Sequence, residues 1–277
     1  MSLYSGPKKQ NKKDVLIGSN RKRITNGSIT NGTHSVPATV DDSNVYFSSE
    51  VEKSKRVKEL QMNSDVTPFP FINSKDQRYS AFISGISGSG KSTLCARLIN
   101  QIRKARNDTN KRVLLFTTSV INVDPAYKDI ENMVIIGFDE DVFQYFLDEG
   151  AGCFHDKIIV FDDYENVADS KLKKAVMLFL KDILERTRKQ DVDVIVLNHM
   201  SQNYAATKSI IFECEEYYLN LQTNRNSSMK FLKTYLDLDK EELNDIKNYE
   251  ANSRFSWSVF RKSYPSYYIL GDRVKLL

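Results

Sequence analysis

The stretch Gly85-Ile86-Ser87-Gly88-Ser89-Gly90-Lys91-Ser92 constrains this chain more than any other. It reads G-x-x-x-x-G-K-[ST], the pattern of a phosphate-binding loop. The pattern gains meaning only between a strand and a helix, and both flanks qualify. Ala81-Phe82-Ile83-Ser84 is a short apolar strand; after the loop, Leu94, Leu98, Ile99 and Ile102 recur at helical spacing. The strand delivers the chain to a tight turn, and the turn opens a helix whose unpaired N–H groups face a ligand. Glycines let the backbone wrap a polyphosphate without Cβ clashes. Lys91 sets a cation between the β- and γ-phosphates, and the Ser92 hydroxyl can ligate Mg²⁺. Gly85 through Ser92, with Thr93 after them, are the expected cradle for ATP and its Mg²⁺. A glycine-rich turn that binds nothing is the bland alternative, and the flanking strand and helix argue against it.

The segment that follows alternates strand and helix signals. Strands are expected at Tyr79–Ser84, Val113–Thr118, Met133–Ile136, Lys157–Phe161, Val192–Leu197 and Tyr217–Leu221, and helices over 91–105, 124–131, 140–149, 169–188 and 202–211. The strands are nearly continuous in apolarity, as strands buried on both faces should be. Alternation of this kind makes a mainly parallel sheet with crossover helices. The fold class is α/β: a three-layer α/β/α P-loop NTPase of the RecA-like type. Arg78 or Tyr79 is a candidate neighbour of the adenine, against the plainer reading of each as a surface residue.

Ile158-Ile159-Val160-Phe161-Asp162-Asp163 is the second chemical signal. An acid at such a strand tip holds Mg²⁺ beside the loop hydroxyl, which is the role expected of Asp162. Asp163 is the candidate general base for the attacking water, with Glu165 next in line. Acids often end strands for structural reasons alone; downstream of a complete phosphate loop the pattern is more specific. The strand signal at 113–118 falls between the two motifs. It points to ATPases with an inserted strand, since nucleotide kinases and GTPases place the motifs on adjacent strands. The chain also lacks a D-x-x-G switch after Asp162 and an N-K-x-D guanine reader.

A helix over 170–188 carries Leu172, Val176, Phe179, Leu180, Ile183 and Leu184 at helical spacing, with Ser170 as cap and Met177 and Leu178 as further packing positions. It closes in Glu185-Arg186-Thr187-Arg188-Lys189-Gln190. A basic group there either reaches a neighbouring subunit's γ-phosphate or simply answers the helix dipole. The strand ending in Asn198-His199 offers a polar tip that senses the γ-phosphate, or a satisfied polar turn.

Composition matters mainly at the ends. Residues 1–35 hold seven basic side chains against one acid, +6, so the net charge of +4 leaves −2 for the remainder. Residues 1–45 are expected to be a disordered basic tail, either touching nucleic acid weakly or only solubilising. Residues 46–78 are expected to be a helix over 46–62 and a linker, 79–222 the ATPase core, and 223–277 a C-terminal extension. In that extension Thr223–Ser228 reads as a polar loop and Leu238–Tyr249 as a helix opened by Asp239 and Glu242. Phe255–Phe260 and Tyr267–Leu270 read as a hairpin. The hairpin's aromatic residues (Phe255, Trp257, Tyr264, Tyr267, Tyr268), beside Arg254, Arg261, Lys262 and Arg273, make either a nucleic-acid surface or a packing flap, and aromatic strands favour the flap. Cys95, Cys153 and Cys214 have neither disulfide-framework nor zinc spacing, which suits a reducing intracellular setting. The longest apolar runs are strand-length, so no membrane span is expected, and the polar N-terminus is no signal peptide.

The motifs GISGSGKS, IIVFDDYE and ERTRKQDVDVIVLNHMSQNY together resemble the FtsK–HerA superfamily, most of all the poxvirus-type DNA-packaging ATPases of large eukaryotic DNA viruses. The resemblance covers about 79–222. It implies Lys91 and Ser92 as nucleotide and Mg²⁺ contacts and Asp162 and Asp163 as the acidic pair. It implies Arg188 as an arginine finger, with Arg186 as its understudy, and a sensor at Asn198 or His199. This chain departs in having Arg188-Lys189 where relatives often have Arg-His, and a strand end without their usual Gln. The resemblance further implies a homo-oligomeric ring, a pentamer or hexamer, that drives double-stranded DNA into a capsid. Its partners would be a capsid or portal protein, and its place a cytoplasmic viral assembly site or the virion. The alternatives are a helicase or DNA-transfer ATPase of the same superfamily, or a DNA adaptor that binds nucleotide without hydrolysing it.

Overall fold

The computed structural model describes residues 15–20, 29–31, 34–36, 38–41, 44–47, 59–61, 66–68, 72, 78–187, 190–199, 204–223, 225–236, 238–250, 253, 255–262, 266–271 and 273–276. They fall into two compact units. One comprises Ile72–Asn248 and Ser253–Phe255; the other comprises Met1–Phe71, Tyr249–Asn252 and Ser256–Leu277.

The first unit has the expected α/β fold. Its strands are β1 (Ser80–Ser84), β2 (Arg112–Thr117), β3 (Met133–Gly137), β4 (Lys157–Asp162), β5 (Asp193–Asn198) and β6 (Glu216–Leu219). They lie in the order β3-β2-β4-β5-β1-β6, all parallel. The helices are α1 (Lys91–Arg106), α2 (Glu140–Glu149), α3 (Ser170–Arg186), α4 (Tyr204–Glu213), α5 (Arg225–Tyr235) and α6 (Lys240–Asn248). A strand does separate the two motif strands, but it is β5; the 112–117 strand lies on the far side of β4. Order along the chain is not order across a sheet, because a crossover can return to either edge.

Strands β1, β5 and β6 are buried along their whole length, and β2 and β4 at every residue but the first. An aromatic cluster locks the middle of the sheet to two helices. Phe116 of β2 stacks on Phe161 of β4 at 5.0 Å, Phe179 of α3 meets both rings, and Phe146 of α2 meets Phe116. Each such ring contributes about 1.5–3 kcal/mol through burial. This packing fixes the carboxyl end of β4, where Asp162 sits. In the register Ser84 pairs with Asn198 and Asp162 with Thr117, and the two pairs are offset by one residue, so four polar residues end adjacent strands at the same edge of the sheet.

Local differences have local causes. Asp169, not Ser170, caps α3, its carboxylate accepting from the Leu172 N–H at 2.7 Å. Leu178 is 59% exposed rather than packed. The helix expected over 124–131 shrinks to one 3₁₀ turn, Pro125–Tyr127, started by the Pro125 ring and capped by Asp124. Helix α5 occupies part of the expected polar loop, and its buried Ser228, Phe231 and Leu232 do follow helical spacing. The Asp239–Glu242 box is present with both arms, at 2.9 and 2.8 Å.

In the second unit, Val15–Asn20, Ala38–Asp41, Asn44–Phe47 and Val66–Pro68 form a four-stranded antiparallel sheet. The expected hairpin, Ser258–Arg261 with Tyr267–Leu270, is extended by Arg273–Leu276, which pairs with Glu59–Gln61. Ile29–Asn31 and His34–Val36 pair with each other. Strands therefore stand at Asn44–Phe47 and Glu59–Gln61, where a helix over 46–62 is expected from an incomplete apolar stripe. The seven basic residues of the N-terminal segment lie outside the described residues, as do Tyr264 and Arg254. Phe260, Tyr267, Tyr268 and Arg261 are buried, which makes the hairpin a packing element.

Candidate active site at the phosphate loop

The loop leaves β1 at Ser84. Its first amide, Gly85 N–H, donates to the Asn198 carbonyl at 3.2 Å, which ties it to the end of β5. Gly88 (φ 74°) and Gly90 (φ 87°) adopt left-handed backbone that a side chain would strain. Gly90 then caps α1, and the helix begins at Lys91.

Lys91 is 7% exposed. Its ammonium donates to the Gly85 and Ile86 carbonyls at 2.9 and 3.1 Å and lies 3.3 Å from His199 Nδ1. Burial lowers its pKa, opposed by Asp162 and Asp163. His199 reaches the other way too, its Nε2 2.8 Å from Asp163 Oδ1. One imidazole thus bridges the loop lysine and the acid after β4. Its backbone N–H donates to Glu165 Oε2 at 2.9 Å, which fixes the ring's origin.

The two acids have opposite characters. Asp162 is 8% exposed and accepts from the Tyr127 hydroxyl at 3.0 Å. Burial, then repulsion from Asp163, pushes its pKa up to about 6. The hydrogen bond from His199 instead holds Asp163 below its ordinary value. Asp163 sits at φ 55°, a left-handed conformation that Asp tolerates better than most residues.

A cavity of about 540 Å³ opens over these groups. Its walls include Ser87, Gly88, Gly90, Lys91, Ser92, Thr93, Asp162, Asp163 and His199. Asn198 is fully buried, its amide donating to the Tyr164 hydroxyl at 2.7 Å, and is not among the lining residues. Of the two sensor candidates, only His199 faces the cavity. Arg186 pairs with Asp182 at 2.7 Å on a mostly exposed side chain, and Arg188 lies outside the described residues. Neither Arg78 nor Tyr79 is at the surface or the cavity. Arg78 donates to the Leu184 and Glu213 carbonyls; Tyr79 bonds Glu216 at 2.7 Å. Both are interior because α3, α4 and β6 end around them. The three cysteines are free, and no cluster of metal-binding side chains is found among the described residues.

The cavity has contributors that motif reading did not supply: Thr117 at the tip of β2, Asn122, Asp124 and Tyr127 in the loop after it, and Phe255. A usable signal existed for most of them. Ligands of parallel sheets sit beyond the carboxyl ends of adjacent strands, so the loop after β2 was within reach.

A nucleoside triphosphate with Mg²⁺ fits these residues. A Cβ built on Gly88 meets nothing within 4 Å, so the loop leaves room. Its donors are amides, one ammonium and a hydroxyl, which suit phosphate oxygens. The buried Asp162 carboxylate, which lines the same cavity as Ser92, suits a hard cation.

No family model matches the chain. Uncharacterised protein V3 of the Sputnik virophage is 26% identical over 237 residues, covering 84% of this chain and 89% of V3. Among solved structures, the pCW3 conjugation coupling protein TcpA, in its monomer form with ATPγS, aligns over 88% of this chain and 76% of its own. The TM-score is 0.51 and the identity 10%. The genome packaging NTPase B204 of Sulfolobus turreted icosahedral virus 2, in complex with AMPPCP, aligns over 74% of this chain and 98% of its own. Its TM-score is 0.45 and its identity 11%. The likeness to TcpA is one of fold. It agrees with the α/β fold that the alternating strands and helices led us to expect.

Proposed function

We propose that this protein is an ATP-hydrolysing motor that moves double-stranded DNA into a viral capsid. The bridge Lys91–His199–Asp163 carries the reading. A module that only grips nucleotide needs the loop and its lysine. Here a third strand places a side chain in contact with both the lysine and the acid, so a change at one is felt at the other. The FtsK–HerA resemblance supports DNA as the cargo, and the virophage relative supports a viral setting.

The loop amides, Lys91 and the start of α1 bind the triphosphate. Ser92 and Asp162 would hold Mg²⁺, which supplies positive charge against the β- and γ-oxygens. Asp163 accepts a hydrogen bond, and then the proton, from the water whose oxygen attacks the γ-phosphorus as the bond to the bridging oxygen breaks. His199 orients Asp163, and its hydrogen bond holds the carboxylate below its ordinary pKa. Lys91 meets the charge that develops on the leaving diphosphate.

ATPase rate with and without long duplex DNA tests this. Duplex DNA is expected to stimulate the wild type. Asp163→Asn should bind ATP normally and hydrolyse it about 10²–10⁴ times more slowly. Tight ATP binding without hydrolysis under any DNA condition would indicate an adaptor and overturn the motor. Strand separation would point to a helicase instead.

The ring reading assigns Arg188 to a neighbour's active site. Arg188→Ala should keep ATP binding and lose about 10³-fold or more in rate. Mixing it with Lys91→Ala should restore measurable hydrolysis, because an intact loop then meets an intact finger across a subunit boundary. Full activity of Arg188→Ala alone would rule the finger out.

A further inference from the structure

We infer that Phe255 is the stacking platform for the purine base of the bound nucleotide. The inference rests on the ATP-site reading above and adds what that reading lacks, a seat for the base. The residues expected beside the adenine, Arg78 and Tyr79, are committed to the interior. Apart from the His199 imidazole, which is held between Lys91 and Asp163, two aromatic rings are found among the described lining residues, Tyr127 and Phe255. Tyr127 is 4% exposed and its hydroxyl is spent on Asp162, so it presents no face to a ligand. Phe255 is 51% exposed. It belongs to the same compact unit as the loop. Its ring edge lies 3.4 Å from where a Cβ on Gly90 would stand, so the ring rests against the loop glycine just ahead of Lys91.

A phenylalanine left half in water beside a polar phosphate cradle is an unfavourable arrangement in the empty protein. A flat base covering it removes that cost. Base–aromatic stacking is tolerant of base identity, because every base has a π-face. Other apolar lining groups, Leu115, Val123 and Pro125, offer contact but no hydrogen-bond code. Stacking on this ring does not separate adenine from guanine, and the larger purine face stacks best, so ATP and GTP bind within a few fold of each other.

The test is binding of ATP, GTP and tripolyphosphate, each with Mg²⁺, to wild type, Phe255→Ala and Phe255→Trp. In Phe255→Ala, ATP and GTP should weaken by about 10- to 100-fold. Tripolyphosphate should bind unchanged, and Phe255→Trp should restore both nucleotides. Unchanged ATP binding in Phe255→Ala would overturn the platform while leaving the phosphate site standing. An equal loss of ATP and tripolyphosphate would also overturn it, since the ring would then be only a support for the loop. If the wild type bound neither ligand, the ATP-site reading would fall and the platform with it.

Discussion

Lys91→Ala will lose ATP hydrolysis by at least about 10²–10³-fold, because it removes the one cation positioned in the loop. It will also lose the thermal stabilisation that ATP gives the wild type. A ligand at a hundred times its dissociation constant stabilises by about 2.7 kcal/mol, and that gain should vanish. Without nucleotide, the variant should unfold at nearly the wild-type temperature. Lys91 bonds the Gly85 and Ile86 carbonyls, and burial already disfavours its charge. The lost hydrogen bonds and the relieved desolvation act in opposite directions. Differential scanning calorimetry with and without Mg²⁺ and ATP separates the outcomes. A large drop in the nucleotide-free melting temperature would show Lys91 to be structural. Retained stabilisation by ATP would show that the phosphates bind elsewhere.

The parts legible in the sequence were those governed by short-range rules. A loop motif, its strand and its helix are contiguous, so Gly85–Ser92 and α1 could be read directly. Asp162 could be read because an apolar strand ended beside it. What needed the sheet was which groups meet. Asn198 and His199 are neighbours in sequence, yet strand alternation sends one into the core against Tyr164 and leaves the other in the cavity, with only one position of register between the two outcomes. Tyr127 and Asp124 arrive from a loop after β2 whose approach depends on strand order, and strand order is a long-range property. Phe255 stands far from every motif in the chain. No local pattern distinguishes it from the other aromatic residues of the C-terminal segment, most of which are packing.

Asp162→Asn should make the nucleotide-free protein more stable while abolishing its ATPase activity. The sign follows from the raised pKa. Asp162 titrates near 6 in the folded protein against an ordinary 3.8, so folding disfavours its charge. Below about pH 4 the group is neutral in both states and has no effect. Between about 4 and 6 the unfolded chain releases its proton first, and stability falls as pH rises. Above 6 the full cost is present, about 3 kcal/mol at most for a shift of roughly two units. Asparagine removes the charge and keeps an oxygen to accept from Tyr127, so the 3.0 Å contact survives. The variant should melt several degrees above wild type at pH 8, and the two curves should converge toward pH 4. Its hydrolysis should be lost at every pH, because a neutral amide holds Mg²⁺ far less well than a carboxylate. Equal or lower stability at pH 8 would mean that the Asp162 charge is already compensated in the folded protein. Hydrolysis surviving the change would mean that Asp163 or Asp124 holds the cation instead. The combined outcome, a residue whose removal strengthens the fold and silences the enzyme, is what a charge retained for catalysis at the expense of stability should give.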